Sequence, residues 1–167
     1  MRLRPDYRDA TAVISPCGRY RYHLGRTWNP ALPRVTFLML NPSIASGDVD
    51  DPTIRKCVGF ATRWGCGGID VVNLAAYRAT DPIALYTARQ SKIDVVGPEN
   101  ATYVQTFLAA NTVRVAAWGA QHVTMFPASD SAYLGTFAPV QCLGRTRDGH
   151  PRHPLVLPYL TPLEKFA

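Results

Sequence analysis

The chain has 167 residues, of which 47% are hydrophobic and 18% are charged. This is enough apolar sequence for one core, and no linker is visible, so residues 1–167 are predicted to form a single domain. The formal charge of +6 favours a polyanionic partner such as nucleic acid, although a protein that is merely basic is an equal alternative. The sequence shows neither a signal peptide nor an apolar run of about 20 residues, so we expect a cytoplasmic protein with no membrane partner.

The four cysteines stand far apart, at Cys17, Cys57, Cys66 and Cys142. They form no C-x-x-C pair, which argues against a zinc site and a disulfide framework. An iron–sulfur cluster that gathers all four thiolates is a minor alternative. We therefore expect free, mostly buried thiols, no metal and no cofactor.

The predicted elements alternate between strands and helices along the chain. An N-terminal hairpin is predicted over 11–15 and 20–24, where a turn-like segment interrupts two apolar runs. Buried strands are predicted over 35–40, 69–76, 113–119 and 138–143, and helices over 52–64 and 97–110. This alternation predicts a three-layer α/β/α sandwich with a central, mostly parallel four-stranded sheet, plus the N-terminal β-hairpin.

Two of these strands have an asparagine at or near their carboxyl ends. The apolar strand 35–40 runs into Asn41, Pro42 and Ser43, and the strand that begins at residue 69 contains Asn73. Open α/β sheets bind their ligands at such carboxyl ends, and a buried amide requires a partner. Two structural alternatives stay open, namely an Asx turn at Asn41 and a backbone-bonded amide at Asn73.

Motifs along nearly the whole chain resemble an uncharacterised bacterial and phage family. They are Leu-Asn-Pro-Ser at 40–43, Asp-Asp-Pro-Thr-Ile-Arg at 50–55, Trp-Gly-x-Gly-Gly at 64–68, Asn-Leu-x-Ala-x-Arg-Ala-Thr-Asp-Pro at 73–82 and His-Pro-Leu at 153–155. Shorter motifs at 40–43, 71–74, 117–119 and 153–154, in the same order, resemble the uracil-DNA glycosylase superfamily.

The resemblance to the superfamily implies a role for each motif. Asn41 would position the attacking water, Asn73 would read the polar edge of an extruded base, and His153 would stabilise the departing base as an anion. Pro42 and Ser43 would lie beside the base. His150 is a competitor for the role of His153, with a solvated loop histidine as the alternative.

Two departures from the superfamily pattern concern the substrate and the general base of the reaction. Uracil-specific members place a tyrosine where this chain has Ser43, so the pocket is predicted to admit pyrimidines with larger 5-substituents. Asn41 cannot accept a proton at neutral pH, so a general base must come from elsewhere. The acidic cluster of Asp48, Asp50 and Asp51 could supply this base or contact a polar substituent of the substrate. Asp48 is the predicted candidate, whereas Asp51, which precedes Pro52, is predicted to be a helix N-cap.

Several arginines are predicted to bind DNA. Contacts with DNA phosphates are predicted for Arg78, Arg145, Arg147 and Arg152, with further contributions from Arg21 and Arg26. The resemblance thus implies a monomeric, monofunctional DNA glycosylase with no protein partner, which leaves an abasic site in DNA repair or anti-phage defence. The alternatives are a hydrolase or binder of free modified nucleosides or nucleotides and a non-catalytic module that binds modified bases.

Overall fold

The computed structural model describes residues 5–120 and 136–167. Within these residues, seven strands form one sheet in the spatial order β1-β2-β4-β3-β5-β6-β7. The strands are β1 (Asp9–Ile14), β2 (Arg21–Thr27), β3 (Arg34–Met39), β4 (Gly68–Asn73), β5 (Val113–Ala116), β6 (Gln141–Cys142) and β7 (Glu164–Lys165). The α-helices are α1 (Pro52–Arg63), α2 (Pro82–Gln90) and α3 (Asn100–Ala110).

The centre of the sheet is the predicted parallel unit. β3 pairs in parallel with both β4 and β5, and β5 pairs in parallel with β6. The N-terminal hairpin of β1 and β2 joins this unit through antiparallel pairing of β2 with β4. The hairpin is therefore an extension of the sheet rather than a separate decoration, and all of β2 except its last residue is buried.

Alternate residues of the parallel strands face two separate cores. Phe37 and Val71 pack in one core with buried residues of α1, whereas Leu38 and Val72 pack in the other with residues of α2 and α3. Strands covered by helices on both faces are apolar almost throughout, which is why periodicity reveals them as continuous hydrophobic runs. The predicted three-layer α/β/α arrangement is confirmed.

Two of the helices begin with the same local chemistry. Asp51 caps α1 and Asp81 caps α2, each through a side-chain oxygen, and proline follows each of them. The N-cap prediction for Asp51 is confirmed, but α2 is absent from the sequence prediction. α3 begins three residues later than predicted, after Gly97, whose φ of +91° lies outside the helical region.

A polar network lies at the amino ends of the parallel strands. Arg34 donates from Nε and Nη2 to the two carboxylate oxygens of Asp70, and His23 Nε2 lies 2.9 Å from Asp70 Oδ1. Burial alone would raise the pKa of Asp70, but hydrogen bonds and charges from Arg34 and His23 hold it far below its usual value. Asn111 donates to the same carboxylate, which leaves this network internally satisfied.

All four cysteines are free, and three of them are buried, as predicted. Among residues 5–120 and 136–167, no group of three or more His, Cys, Asp or Glu side chains is arranged to hold a metal ion. No helix in the same described segments combines the length and apolar character needed to cross a membrane.

Candidate functional site

A cavity of about 670 Å³ lies at the carboxyl ends of the parallel strands. Its volume is typical of a small-molecule site. Residues that follow β3, β5 and β6 line it, together with the last residue of β4 and the first turn of α1. Five of the predicted site residues lie in its wall, namely Asn41, Ser43, Asn73, Arg152 and His153.

Asn41 presents an acceptor oxygen because its amide hydrogens are already engaged. Its Nδ2 donates to the carbonyl oxygens of Pro42 at 3.1 Å and Ala79 at 2.8 Å. Two carbonyl acceptors fix the orientation of the amide and leave Oδ1 available. The side chain thus donates to the backbone rather than accepting from it as in an Asx turn. Pro42 is buried outside the cavity lining, so its side chain does not flank a ligand as predicted.

Asn73 is the most unusual polar residue of the cavity. It is 1% exposed, and neither its Oδ1 nor its Nδ2 has a hydrogen-bond partner among the described residues. Its main chain is held, since Asn100 Nδ2 donates to the Asn73 carbonyl oxygen at 2.9 Å. The alternative of a backbone-bonded side chain therefore does not describe Asn73. A buried amide without a partner is costly, and a ligand with one donor and one acceptor would satisfy it.

The hydrogen bonding of His153 fixes its tautomer. The residue precedes a short 3-10 turn at Pro154–Val156, and its Nδ1 accepts the backbone N–H of Leu155 at 3.3 Å. Burial lowers the pKa of His153, and the negative charge of Asp51 only partly opposes this effect. The imidazole is thus neutral at physiological pH and carries its proton on Nε2. His150 is not part of the cavity lining.

The acidic residue in the cavity wall is Asp51 rather than Asp48. Asp51 is 7% exposed, and its Oδ1 accepts the N–H of Ile54 at 2.8 Å. Asp48 is exposed and lies outside the cavity lining, which contradicts the predicted placement. The physical reason is that Asp50, two residues later, takes the buried position on this loop by accepting from Arg26 Nε at 2.8 Å.

Arg21 is a cavity residue that sequence reasoning misplaced. The prediction put it on a phosphate-binding surface, but it is 2% exposed and lines the cavity. Its Nη1 donates to the Ala45 carbonyl oxygen at 2.7 Å, and its Nε has no partner among the described residues. Burial lowers the pKa of Arg21 to about 10, against the opposing effect of the Asp51 charge. Arg26 is likewise buried, bound to the loop that precedes α1.

The four arginines predicted to contact phosphates have different surroundings. Arg152 is exposed and lies in the cavity wall, and Arg147 is exposed in the same loop. Arg145 donates to the carbonyl oxygens of Lys165 and Phe166 at the C-terminal end of the chain. Arg78 is partly buried and donates to a carbonyl at the tip of the N-terminal hairpin. Only Arg152 thus combines exposure with a place beside the cavity.

Exposed apolar side chains surround the mouth of the cavity. Ile44 is 58% exposed, Leu155 is 41% exposed and Val156 is 82% exposed, and all three line the cavity. They come from two different segments, one after β3 and one after His153. Clustered apolar side chains that remain in water often mark a binding surface. The sequence prediction does not include them.

The fold and the cavity define an α/β domain with a ligand-sized, partly polar site at the carboxyl edge of a parallel sheet. Residues 21–155 match the DUF1643 family, described as a protein of unknown function, and the chain belongs to this family because the match spans most of its length. No curated protein and no solved structure matches the chain. The relationship to the uracil-DNA glycosylase superfamily thus stays a resemblance in short motifs.

Proposed function

We propose that this protein is a monofunctional DNA glycosylase that removes a flipped-out, 5-substituted pyrimidine and leaves an abasic site. One observation carries the proposal: Asn41, Asn73 and His153 come from three distant segments, and all three line one cavity. These are the residues to which the resemblance assigns the water, the base edge and the departing base.

Base recognition is assigned to Asn73. A pyrimidine edge offers a donor and an acceptor side by side, which complements an amide that has both groups unpaired. His153 then donates its Nε2 proton in a hydrogen bond to a carbonyl oxygen of the base. This bond strengthens as negative charge develops on the departing base, so it stabilises the transition state more than the bound substrate.

The attacking water is assigned to Asn41. Its free Oδ1 would accept one hydrogen bond from the water and orient the oxygen lone pair toward the anomeric carbon. No lysine occurs in the matched motifs, so a Schiff base and strand cleavage by lyase chemistry are not part of the proposal. Hydrolysis of the glycosidic bond on these residues uses no resident metal or cofactor.

DNA binding is supported by charge and by the apolar mouth. Arg152 beside the cavity and Arg147 in the same loop could contact phosphates on either side of an extruded nucleotide. Exposed apolar side chains at the entrance, such as Ile44 and Val156, are suited to stack against or insert between neighbouring bases. The proposed setting is DNA repair or defence against phages that modify their bases.

The proposal is tested with synthetic single- and double-stranded oligonucleotides that carry uracil, thymine or a series of 5-substituted pyrimidines. Alkaline cleavage after incubation reveals abasic sites as strand breaks. We expect breaks at one or more of the 5-substituted bases, a class that includes thymine, and none at uracil. Binding without breaks would indicate a module that recognises modified bases, and hydrolysis restricted to free nucleosides or nucleotides would indicate the other alternative. Either of these results would refute the glycosylase.

Substitution Ser43→Tyr tests the predicted open wall of the pocket. Ser43 is half-buried in the cavity wall, so a tyrosine there would compete with a 5-substituent for space. We expect excision of the 5-substituted base to fall by about 10- to 100-fold, measured as kcat/KM, because a steric misfit in a pocket costs about that much. Ser91→Tyr, at an exposed helix end, is the matched control. Unchanged excision of every 5-substituted base by Ser43→Tyr would show that Ser43 does not face the substituent.

A further inference from the structure

The proposed site lacks a proton acceptor for the water that Asn41 orients, since an amide does not take up a proton at neutral pH. We propose that Asp51 is the catalytic base of this site. The inference rests on the proposed function and adds to it the residue that receives the proton of the attacking water.

The position of Asp51 supports this role. It is buried in the wall of the same cavity as Asn41 and His153. Arg21 and His153, which come from two other segments, line the same cavity, so the three ionisable groups surround one space. The negative charge of Asp51 partly opposes the lowering of the pKa of both groups by burial. Asp51 is thus placed among the polar groups of the cavity rather than at its rim.

The N-cap bond uses only part of the Asp51 carboxylate. Oδ1 accepts the N–H of Ile54, and Oδ2 has no hydrogen bond to any described residue. An N-cap alone would not indicate a ligand. Two other buried groups in the cavity do so independently, since the amide of Asn73 and the Nε of Arg21 are also without partners in the described segments. Three cavity residues therefore have polar atoms that are available to bind a ligand.

The groups around Asp51 suit a carboxylate that must be charged before the reaction. Arg21 of β2 lines the same cavity, and the N-terminal end of α1 presents its backbone N–H groups to Asp51. His153 also lines this cavity, and Cys57 lies on the helix that Asp51 caps. Burial raises the pKa of the Cys57 thiol, so Cys57 stays protonated and does not compete as a base.

The chemical step is a hydrolysis. The water oxygen forms a bond to the anomeric carbon while the bond between that carbon and the base nitrogen breaks. The electron pair of the broken bond leaves with the base, whose carbonyl oxygen accepts the Nε2 hydrogen bond of His153. The water proton passes to Asp51 Oδ2 and then to the released base. Before the transfer, the charge of Asp51 also stabilises the cationic sugar.

The test compares Asp51→Asn with Asp81→Asn in single-turnover excision of a base that the wild-type protein removes. Asparagine caps helices well, so both variants should retain their N-cap bonds and their melting temperatures. Both aspartates cap a helix that begins with proline, but Asp81 is exposed and lies outside the cavity lining. We expect Asp51→Asn to lower the rate by about 100-fold or more, as loss of a general base does, and Asp81→Asn to leave it unchanged.

The dependence of the single-turnover rate on protein concentration separates a catalytic role from a structural one. Asp51→Asn should lower the rate at saturating protein and leave the half-saturating protein concentration unchanged, because a base acts in the chemical step and not in binding. If Asp51→Asn does not fold, Asp51→Ser, which also retains a cap, is measured in the same way.

The outcomes are distinct. A wild-type protein that cuts no substrate would overturn the proposed function, and this inference with it. A wild-type protein that cuts its substrate while Asp51→Asn keeps its rate, or loses only affinity for the DNA, would overturn the inference alone.

Discussion

Replacement of His153 by alanine is expected to slow base release by about two to three orders of magnitude, because a preorganised donor to a developing oxyanion contributes about that much. The imidazole is half-buried in the cavity wall with its proton on Nε2. No other histidine among the described residues lines the cavity. The rate of base release is measured in a single turnover with enzyme in excess over DNA.

The matched control is His150→Ala, since His150 lies three residues earlier in the same loop but outside the cavity lining. It should retain the wild-type rate. Because burial lowers the pKa of His153, a rise in pH above neutrality should not reduce the contribution of its neutral donor form. Equal rates for His153→Ala and His150→Ala would contradict the assignment of the oxyanion donor.

The layered fold could be predicted because the parallel strands are covered on both faces. β3 and β4 appear in the sequence as continuous apolar runs, and Asp51 with Pro52 indicates where α1 begins. α2 was missed because six of its residues 83–90 are exposed and the other two, Leu85 and Ala88, are buried, so its apolar stripe is short. β7 has two exposed residues, which carry no periodic signal.

The site could be predicted from strand ends where its residues follow parallel strands, whereas His153 was predicted from the motif resemblance. Asn41 and Asn73 follow apolar runs, and the topology of such sheets places their side chains together. Arg21 could not be placed in this way, because its burial depends on the pairing of β2 with β4, a contact between segments far apart in sequence. A charged residue in a short hairpin strand ordinarily indicates a solvent-exposed face.

Asp51 illustrates a different limit. An aspartate before a proline at the start of a helix is fully explained by capping, and the sequence contains the same pair at Asp81 and Pro82. Only the packing of α1 against the carboxyl ends of the strands distinguishes the two. It buries Asp51 in the cavity and leaves Asp81 in solvent. A local pattern can thus be explained by a structural role and give no sign of a second role, such as the catalytic one proposed for Asp51.

Replacement of Asn73 by leucine is expected to reduce kcat/KM by about 100-fold or more without reducing stability, since an unpaired substrate edge loses its hydrogen-bond partners. Leucine has a similar shape and removes two buried polar atoms that have no partner among the described residues. The melting temperature should therefore stay the same or rise, because a buried unsatisfied polar group costs about 1–3 kcal/mol. Thermal unfolding and excision kinetics on the same preparation test both parts.

Asn100→Leu is the matched control, and it should show the opposite pattern in stability. Asn100 is equally buried and its Oδ1 also has no partner among the described residues, but its Nδ2 donates to the carbonyl oxygens of Asn73 and Leu74. Its loss leaves those carbonyls unpaired and should cost about 1–3 kcal/mol of unfolding free energy. The two substitutions thus distinguish the proposed ligand-binding amide of Asn73 from the structural amide of Asn100. If Asn73→Leu lowered the melting temperature as much as Asn100→Leu while excision by the folded protein stayed unchanged, the base-reading role of Asn73 would be wrong.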